Sequence, residues 1–342
     1  MKAELKNIAG CLIIDATGAF LNGAGLGAGE DRNLVIPKTF KEKVNGKNEE
    51  VPYVSAQAWR RWLRNTSNEE NGWTPSELAS IKTSEKGSTT KISTELDPII
   101  FPEDDLFGYM KSGDAKAESI QRTSPFKTSI LKGVKNLRAL SRDDAFVHLK
   151  EGTPLPYSTR FYSAHLEGFF NLEYYRLGVY DNLGSRQELA TEFVEKHADS
   201  LDESALLGKF KRYTLKNADQ NRKERAAGLL KGLSFLRGGA KQAAFGSDVS
   251  PKVLIIAGLS TANPIFNNLF LGGERPVLNI DVLKQLAADY SSKLATPIYI
   301  GIRKGYLLNE KDVEALGDLD KKLFVIGSPI SIVEDFKNQY LS

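Results

Sequence analysis

The sequence predicts an α+β protein with the ferredoxin-like order of elements, and three observations carry that prediction. "GCLIIDATGAFLN", starting at Gly10, and "KVLIIAGLS", starting at Lys252, are short apolar runs of the kind that form buried strands. "VPYVSAQAWRRWLRNTS", residues 51–67, repeats Ala58, Trp59, Trp62 and Leu63 at helical spacing. Around them the chain reads strand, helix, two strands, helix, strand, with large insertions, an order that RNA-recognition modules share. At 342 residues the chain exceeds the roughly 250–300 at which one core stops growing. We therefore expect one main domain over 1–342, with insertions at approximately 65–100 and 140–165.

The first strand ends in "NGAGLGAGE", where Gly23, Gly25, Gly27 and Gly29 alternate. A dinucleotide fingerprint needs G-x-G-x-x-G opening into a helix and a P-loop needs G-K-[ST]; neither pattern is present. Backbone without Cβ atoms can instead approach a polyanion closely. "EDRNLVIPKTFKEKV" is extended, contains Pro37, and leads to the turn pair Asn45-Gly46, which predicts a basic hairpin.

The helix follows. Ser55 stands where an N-cap belongs, with Pro52 just upstream. Arg60, Arg61 and Arg64 fall on or beside the face opposite the tryptophans, and Arg60 and Arg64 repel one turn apart. Two readings fit: a solvated face, or a face with an anion lying across it.

Residues 65–97 are polar and turn-rich, as expected of a surface insertion. In "DPIIFPEDDLFGYM", Phe101, Leu106, Phe107, Tyr109 and Met110 are expected core or interface anchors. "RTSPFKTSILKGVKNLRALSRDD" is basic and strand-like, and "VHLKEGTPLPYSTRFY" carries Gly152, Pro154 and Pro156 as a projecting hairpin would. "RFYSAHLEGFFNLEYYRLGVY" is a long strand leading into another. Residues 187–236 read as mostly helical and stop at "RGGAKQ", where Gly238 and Gly239 supply a left-handed turn. Two α/β pieces, "NIDVLKQLAADYSSKLATPIYIGIR" and "KKLFVIGSPISIVEDFKNQYLS", close the chain.

Composition excludes several classes. The one cysteine, Cys11, cannot form an internal disulfide, and with His148, His165 and His197 scattered no zinc-ligand spacing exists. No metal and no cofactor are expected. The N-terminus lacks a leader-like apolar region and no apolar run approaches the ~18 residues of a membrane span, so a cytoplasmic protein without membrane contact is expected. No nucleophile, base and orienter can be named for a small-molecule enzyme. Net charge is +3, but residues 111–142 hold eight Lys/Arg against two Asp/Glu, and residues 209–241 hold ten against two. Such segregation is the footprint of a nucleic-acid groove, or of solvated basic elements.

Five motifs in order, "VPYVSAQAWRRWLR", "DLFGYM", "RTSPFKTSIL", "GTPLPYSTRFYS" and "RGGAKQ", resemble the DevR-type branch of the CRISPR-associated Cas-seven family over roughly residues 10–260. The resemblance implies an RNA-recognition-motif-like palm with inserted fingers and a thumb hairpin, acting as a non-catalytic backbone subunit of a type I, I-B-like Cascade. Its partners would be CRISPR RNA, target DNA, copies of itself stacked head to tail, and guide-handle-binding, large and small subunits. The implied RNA-binding residues are Asn22, Arg32, Lys38, Lys43, Ser55, Gln57, Arg60, Arg61, Arg64, Lys127, Arg160, Lys241 and Gln242, with Tyr157 or Phe161 as the thumb's base wedge. Where the family often has Ser-Gly-Gln, this chain has Ser55-Ala56-Gln57. The alternative is a type III-like subunit that cleaves target RNA through Asp31, next to Glu30.

Overall fold

The computed structural model describes residues 3–26, 34–44, 46–77, 79–82, 90–93, 95–111, 119–147, 155–184 and 186–342. Its backbone is organised by the strand Asn7–Ala19, which is buried on both faces. Ile8, Leu12 and Ile14 point to one core, and Ala9, Cys11 and Ile13 to another. Period-two alternation with two apolar faces is why this strand appears in sequence as an unbroken apolar run.

The main sheet runs, from one edge, through Phe324–Gly327, Ile298–Ile302, Val253–Leu259, Asn7–Ala19, Leu155–Leu172, Leu131–Val147 and Lys47–Val54 to Thr39–Val44. Along this order adjacent strands are antiparallel, except that Ile298–Ile302 and Phe324–Gly327 are parallel. Helices Ala56–Asn71 and Ala218–Ser234 pack on the face of Ile8, Leu12 and Ile14, bringing Trp59, Leu63, Leu229 and Leu233 into that core. Phe266, Leu269, Leu283, Leu307, Val313 and Leu316 cover the opposite face. The fold is mixed α+β, as expected.

Most of the predicted elements form. Thr39–Val44 and Lys47–Val54 make the expected hairpin, with Gly46 at φ 79° in its turn. Leu131–Val147 and Leu155–Leu172 make a second, much longer one whose register reaches Val147 opposite Leu155. Gly23–Leu26 and Leu34–Pro37 pair with each other, and the latter also runs parallel to Ser158 and Thr159.

Three expectations are corrected. The tryptophan helix continues past residue 67 to Asn71, where Gly72 at φ 63° closes it, because Thr66, Ser67 and Asn68 are buried by tertiary packing that overrides their weak helix preference. Within 187–236, only Thr191–Lys196 and Ala218–Ser234 are α-helical. Leu201–Ala205 and Lys211–Leu215 are strands of a separate six-stranded sheet, since Tyr213 and Leu215 alternate inward with polar neighbours outward. Met110 is 58% exposed and so is not a core anchor, while Phe101, Leu106 and Tyr109 are buried.

Candidate nucleic-acid interface

The three arginines of the helix have three different environments. Arg60 turns inward: its guanidinium donates to the Phe126 carbonyl, to the Phe107 carbonyl at 3.1 Å and to Ser124 Oγ at 2.8 Å, and lies 5.5 Å from the Phe107 ring centre. Burial, reinforced by nearby Arg64, lowers its pKa to about 10. Arg64 is bound to Glu103 at 2.6 Å and lies 3.5 Å from Asp104. Arg61 is exposed and has no partner among the described residues. The helix therefore offers one free cation where the sequence suggested three.

The helix is held stiffly enough to position that cation. Trp59 is fully buried, its indole N–H donating to the Ser129 carbonyl at 2.8 Å. Ser55 Oγ accepts from the Ala58 N–H, while the Ser55 N–H donates to Asn22 Oδ1 at 3.0 Å. Asn22 also accepts the Lys38 N–H at its carbonyl, at 2.8 Å. One asparagine thus clasps the end of the first strand, the basic hairpin and the helix N-terminus.

A second cluster forms beside this clasp. Lys241, at φ 52°, donates to Thr159 Oγ1 at 2.7 Å with its ammonium 5.3 Å from the Phe20 ring centre. Phe245 stacks on Phe20 at 6.4 Å and meets Phe161 at 5.6 Å. The Ala240 N–H bonds the Leu21 carbonyl at 2.9 Å, and Gln242 donates back to the Gly238 carbonyl. Strand alternation places Tyr157, Thr159 and Phe161 on one face of the long hairpin, and Tyr157 is 42% exposed. The structure thus brings together Asn22, Lys38, Ser55, Phe161, Lys241 and Gln242. A loop cation held beside aromatics on a strand face suits a sugar-phosphate chain with stacked bases.

The other predicted residues are spread more widely. Lys43 and Gln57 are exposed, and Arg160 lies 3.7 Å from Glu50 across the basic hairpin. Lys127 sits opposite Asn171 and is ion-paired with Glu173. That is about 40 Å along the strand from Thr159, at ~3.3 Å per residue, so Lys127 does not belong to the cluster. Glu30, Asp31 and Arg32 lie outside the described residues.

Sequence reasoning missed two things. Phe20 and Phe245 lie in none of the five motifs, and Thr159, inside "GTPLPYSTRFYS", is not singled out by it; only the fold joins them to Lys241. Also hidden in the sequence is a buried network that takes one arginine from each of the two basic segments. Asp105 accepts from Arg122 and Arg225, Arg122 donates to Glu188 at 3.0 Å, and all three Asp105 and arginine side chains are nearly inaccessible. Two cations counted toward a basic surface are thus interior. Burial alone would raise the Glu103 carboxyl, but hydrogen bonds from Arg64 and Asn68 hold it below the ordinary range. The residue signal was available in "PEDD", three consecutive acids inside an apolar element.

Comparison with known proteins gives a family match and two similar folds. A family described as "CRISPR-associated negative auto-regulator DevR/Csa2" matches residues 16–272. One solved chain, from a "CRISPR RNA-guided surveillance complex", aligns over 97% of this chain and 98% of its own, at 13% identity and a TM-score of 0.54. Another, from a "CRISPR RNA-guided surveillance complex, pre-nicking", aligns over 97% and 99%, at 13% identity and a TM-score of 0.55. No curated protein matches the sequence.

Proposed function

The chain belongs to the DevR/Csa2 family of CRISPR-associated proteins, within the Cas-seven group, and from that premise we propose that it is a guide-RNA-binding backbone subunit of a type I surveillance complex. It holds CRISPR RNA by its phosphates, stacks head to tail along it with further subunits, and leaves the bases free to pair with target DNA. Contacts to phosphate carry no sequence information, which suits a protein that must accept any guide.

The observation that carries this reading is the Lys241 cluster and its place in the fold. Strands Val253–Leu259, Asn7–Ala19, Leu155–Leu172 and Leu131–Val147 stand side by side in that order, with both long helices on one face. We take this as an RNA-recognition-like palm, and its long hairpin as the thumb. Residues of the C-terminal segment cover the middle of the other face, so the RNA is placed farther out, across Tyr157, Thr159 and Phe161, between Lys241 and the Asn22 clasp. Gln242, Lys38, Lys43, Arg160 and Arg61 are its further contacts.

Co-expression with a CRISPR array, followed by sequencing of the RNA that co-purifies, tests the proposal. Array-derived RNA of uniform length is the expected result; random cellular RNA, or none, overturns it. We also take the subunit to hold RNA without cutting it. Adding complementary RNA and magnesium to the assembled complex would contradict this if regularly spaced cuts appeared and vanished in Asp31→Ala.

A further inference from the structure

We propose that the turn Arg303–Lys304, outside the part of the chain that the family match covers, is an additional phosphate-binding point on the same nucleic-acid strand; this rests on the guide-binding reading above. The register of the main sheet puts it at the relevant end. Ile13 pairs with both Glu167 and Val253, and Val253 pairs with Ile302. One residue farther out, the Lys252 N–H bonds the Ile13 carbonyl and the Arg303 N–H bonds the Lys252 carbonyl, at 2.9 and 2.8 Å. Arg303 and Lys304 thus leave the sheet at the end toward which Asn7–Ala19 runs, the end that carries Phe20, Asn22 and the Lys241 loop.

The side chains on one face of the hairpin strand tie the two places together. Thr159 takes Lys241, Phe161 meets Phe245, and Ser163 Oγ accepts the Gly18 N–H at 3.0 Å. His165 Nδ1 lies 2.8 Å from the Tyr306 hydroxyl, and Glu167 accepts the Leu269 N–H at 2.9 Å. Tyr306 follows the turn directly, so this contact fixes Arg303 and Lys304 relative to the thumb strand. From Thr159 to His165 the strand advances about 20 Å, a span a single strand would cross between the two cationic points. Lys252 is neutralised by Asp248 at 2.5 Å, and Arg275 donates to the Tyr306 and Leu307 carbonyls. Arg303 and Lys304 are exposed and have no side-chain partner among the described residues. Two like charges left unpaired on a pinned turn are suited to an anion that arrives from outside the chain.

The test is guide-RNA binding by the full chain, read by fluorescence anisotropy across a salt series. Each lost phosphate contact on a single strand should lower the log–log slope by about 0.7, so Arg303→Ala/Lys304→Ala should lower it by about 1.4. Arg303→Lys/Lys304→Arg, which keeps both charges, should retain the slope. Lys321→Ala/Lys322→Ala, two exposed cations ahead of Phe324–Gly327 at the far end of the sheet, should leave it unchanged. An unaltered slope in Arg303→Ala/Lys304→Ala, where Lys241→Ala does lower it, overturns this proposal and leaves the groove standing. Equal losses in the far-end control overturn it as well. If the unmodified chain binds RNA without salt dependence, the guide-binding reading itself falls.

Discussion

Arg60, Arg61 and Arg64 occupy adjacent positions on one helix, and their chemistry diverges because of what packs beside them. Arg60 is half-buried with three protein acceptors, Arg64 is paired with buried carboxylates, and only Arg61 is free to meet an external anion. Helical spacing shows which residues share a face, not how deeply a neighbouring loop covers it. Arg60→Ala is therefore expected to act on stability, costing about 1–3 kcal/mol by leaving buried carbonyls under-satisfied, whereas Arg61→Ala should leave the melting temperature unchanged and weaken RNA binding. Thermal melts and anisotropy on the two variants separate these outcomes; RNA affinity lost in Arg60→Ala at unchanged stability would reverse the assignment. Trp59→Ala should cost more, about 3–5 kcal/mol by chemical denaturation, because the ring is fully buried and edge-on to Phe126 at 6.2 Å.

At the level of elements, the sequence was most legible where periodicity and turn chemistry agreed. The Ser55 cap, the hairpin that turns at Gly46 and the two apolar strands all form, each from a local pattern with its own physical cause. The segment 201–215 departs from the helical expectation because "LDESALLGKFKRYTL" has charges that suit either a helix or a hairpin, and the pairing of Lys211–Leu215 to Val179–Leu183 is set outside the segment. The contact between the two long helices was also invisible. Gly228 and Gly232, one turn apart, face Trp73 and Ser67, and a Cβ on Gly232 would stand 3.0 Å from the Ser67 Cα. Helix propensity says Gly232→Ala should stabilise by about 1 kcal/mol; overpacking against backbone that cannot retreat costs about 1–3 kcal/mol. Packing wins, so Gly232→Ala should melt lower than the parent. A higher melting temperature would mean that the helices can part at little cost.

For the molecule as a whole, the candidate site was only half legible because net charge by segment does not distinguish a cation at the surface from one neutralising an interior acid. Arg122 and Arg225 belong to the second kind, held by Asp105. Stability depends on pH in two opposing ways through three other buried acids, Glu103, Glu173 and Glu167. Burial would raise Glu103 and Glu173, but hydrogen bonds from Arg64 and Asn68 to the first, and from Lys127 and Arg176 to the second, hold both below the ordinary glutamate value. On acidification the unfolded chain takes up these protons first, so their contribution is present at neutral pH and is lost as pH falls from the ordinary value through the depressed ones. Glu167 is the reverse. Burial raises it against the Leu269 N–H bond, so the unfolded chain ionises first and the contribution declines as pH rises through the ordinary value toward the raised one. Glu167→Gln keeps an oxygen for Leu269 and removes the buried charge. It should therefore raise the melting temperature at neutral pH, leave it little changed at the acid limit, and flatten the curve between. If Glu167→Gln instead lowers the melting temperature equally at every pH, the carboxylate is stabilised where it lies by Lys132, opposite it in the sheet, and the cost assigned to its burial is wrong.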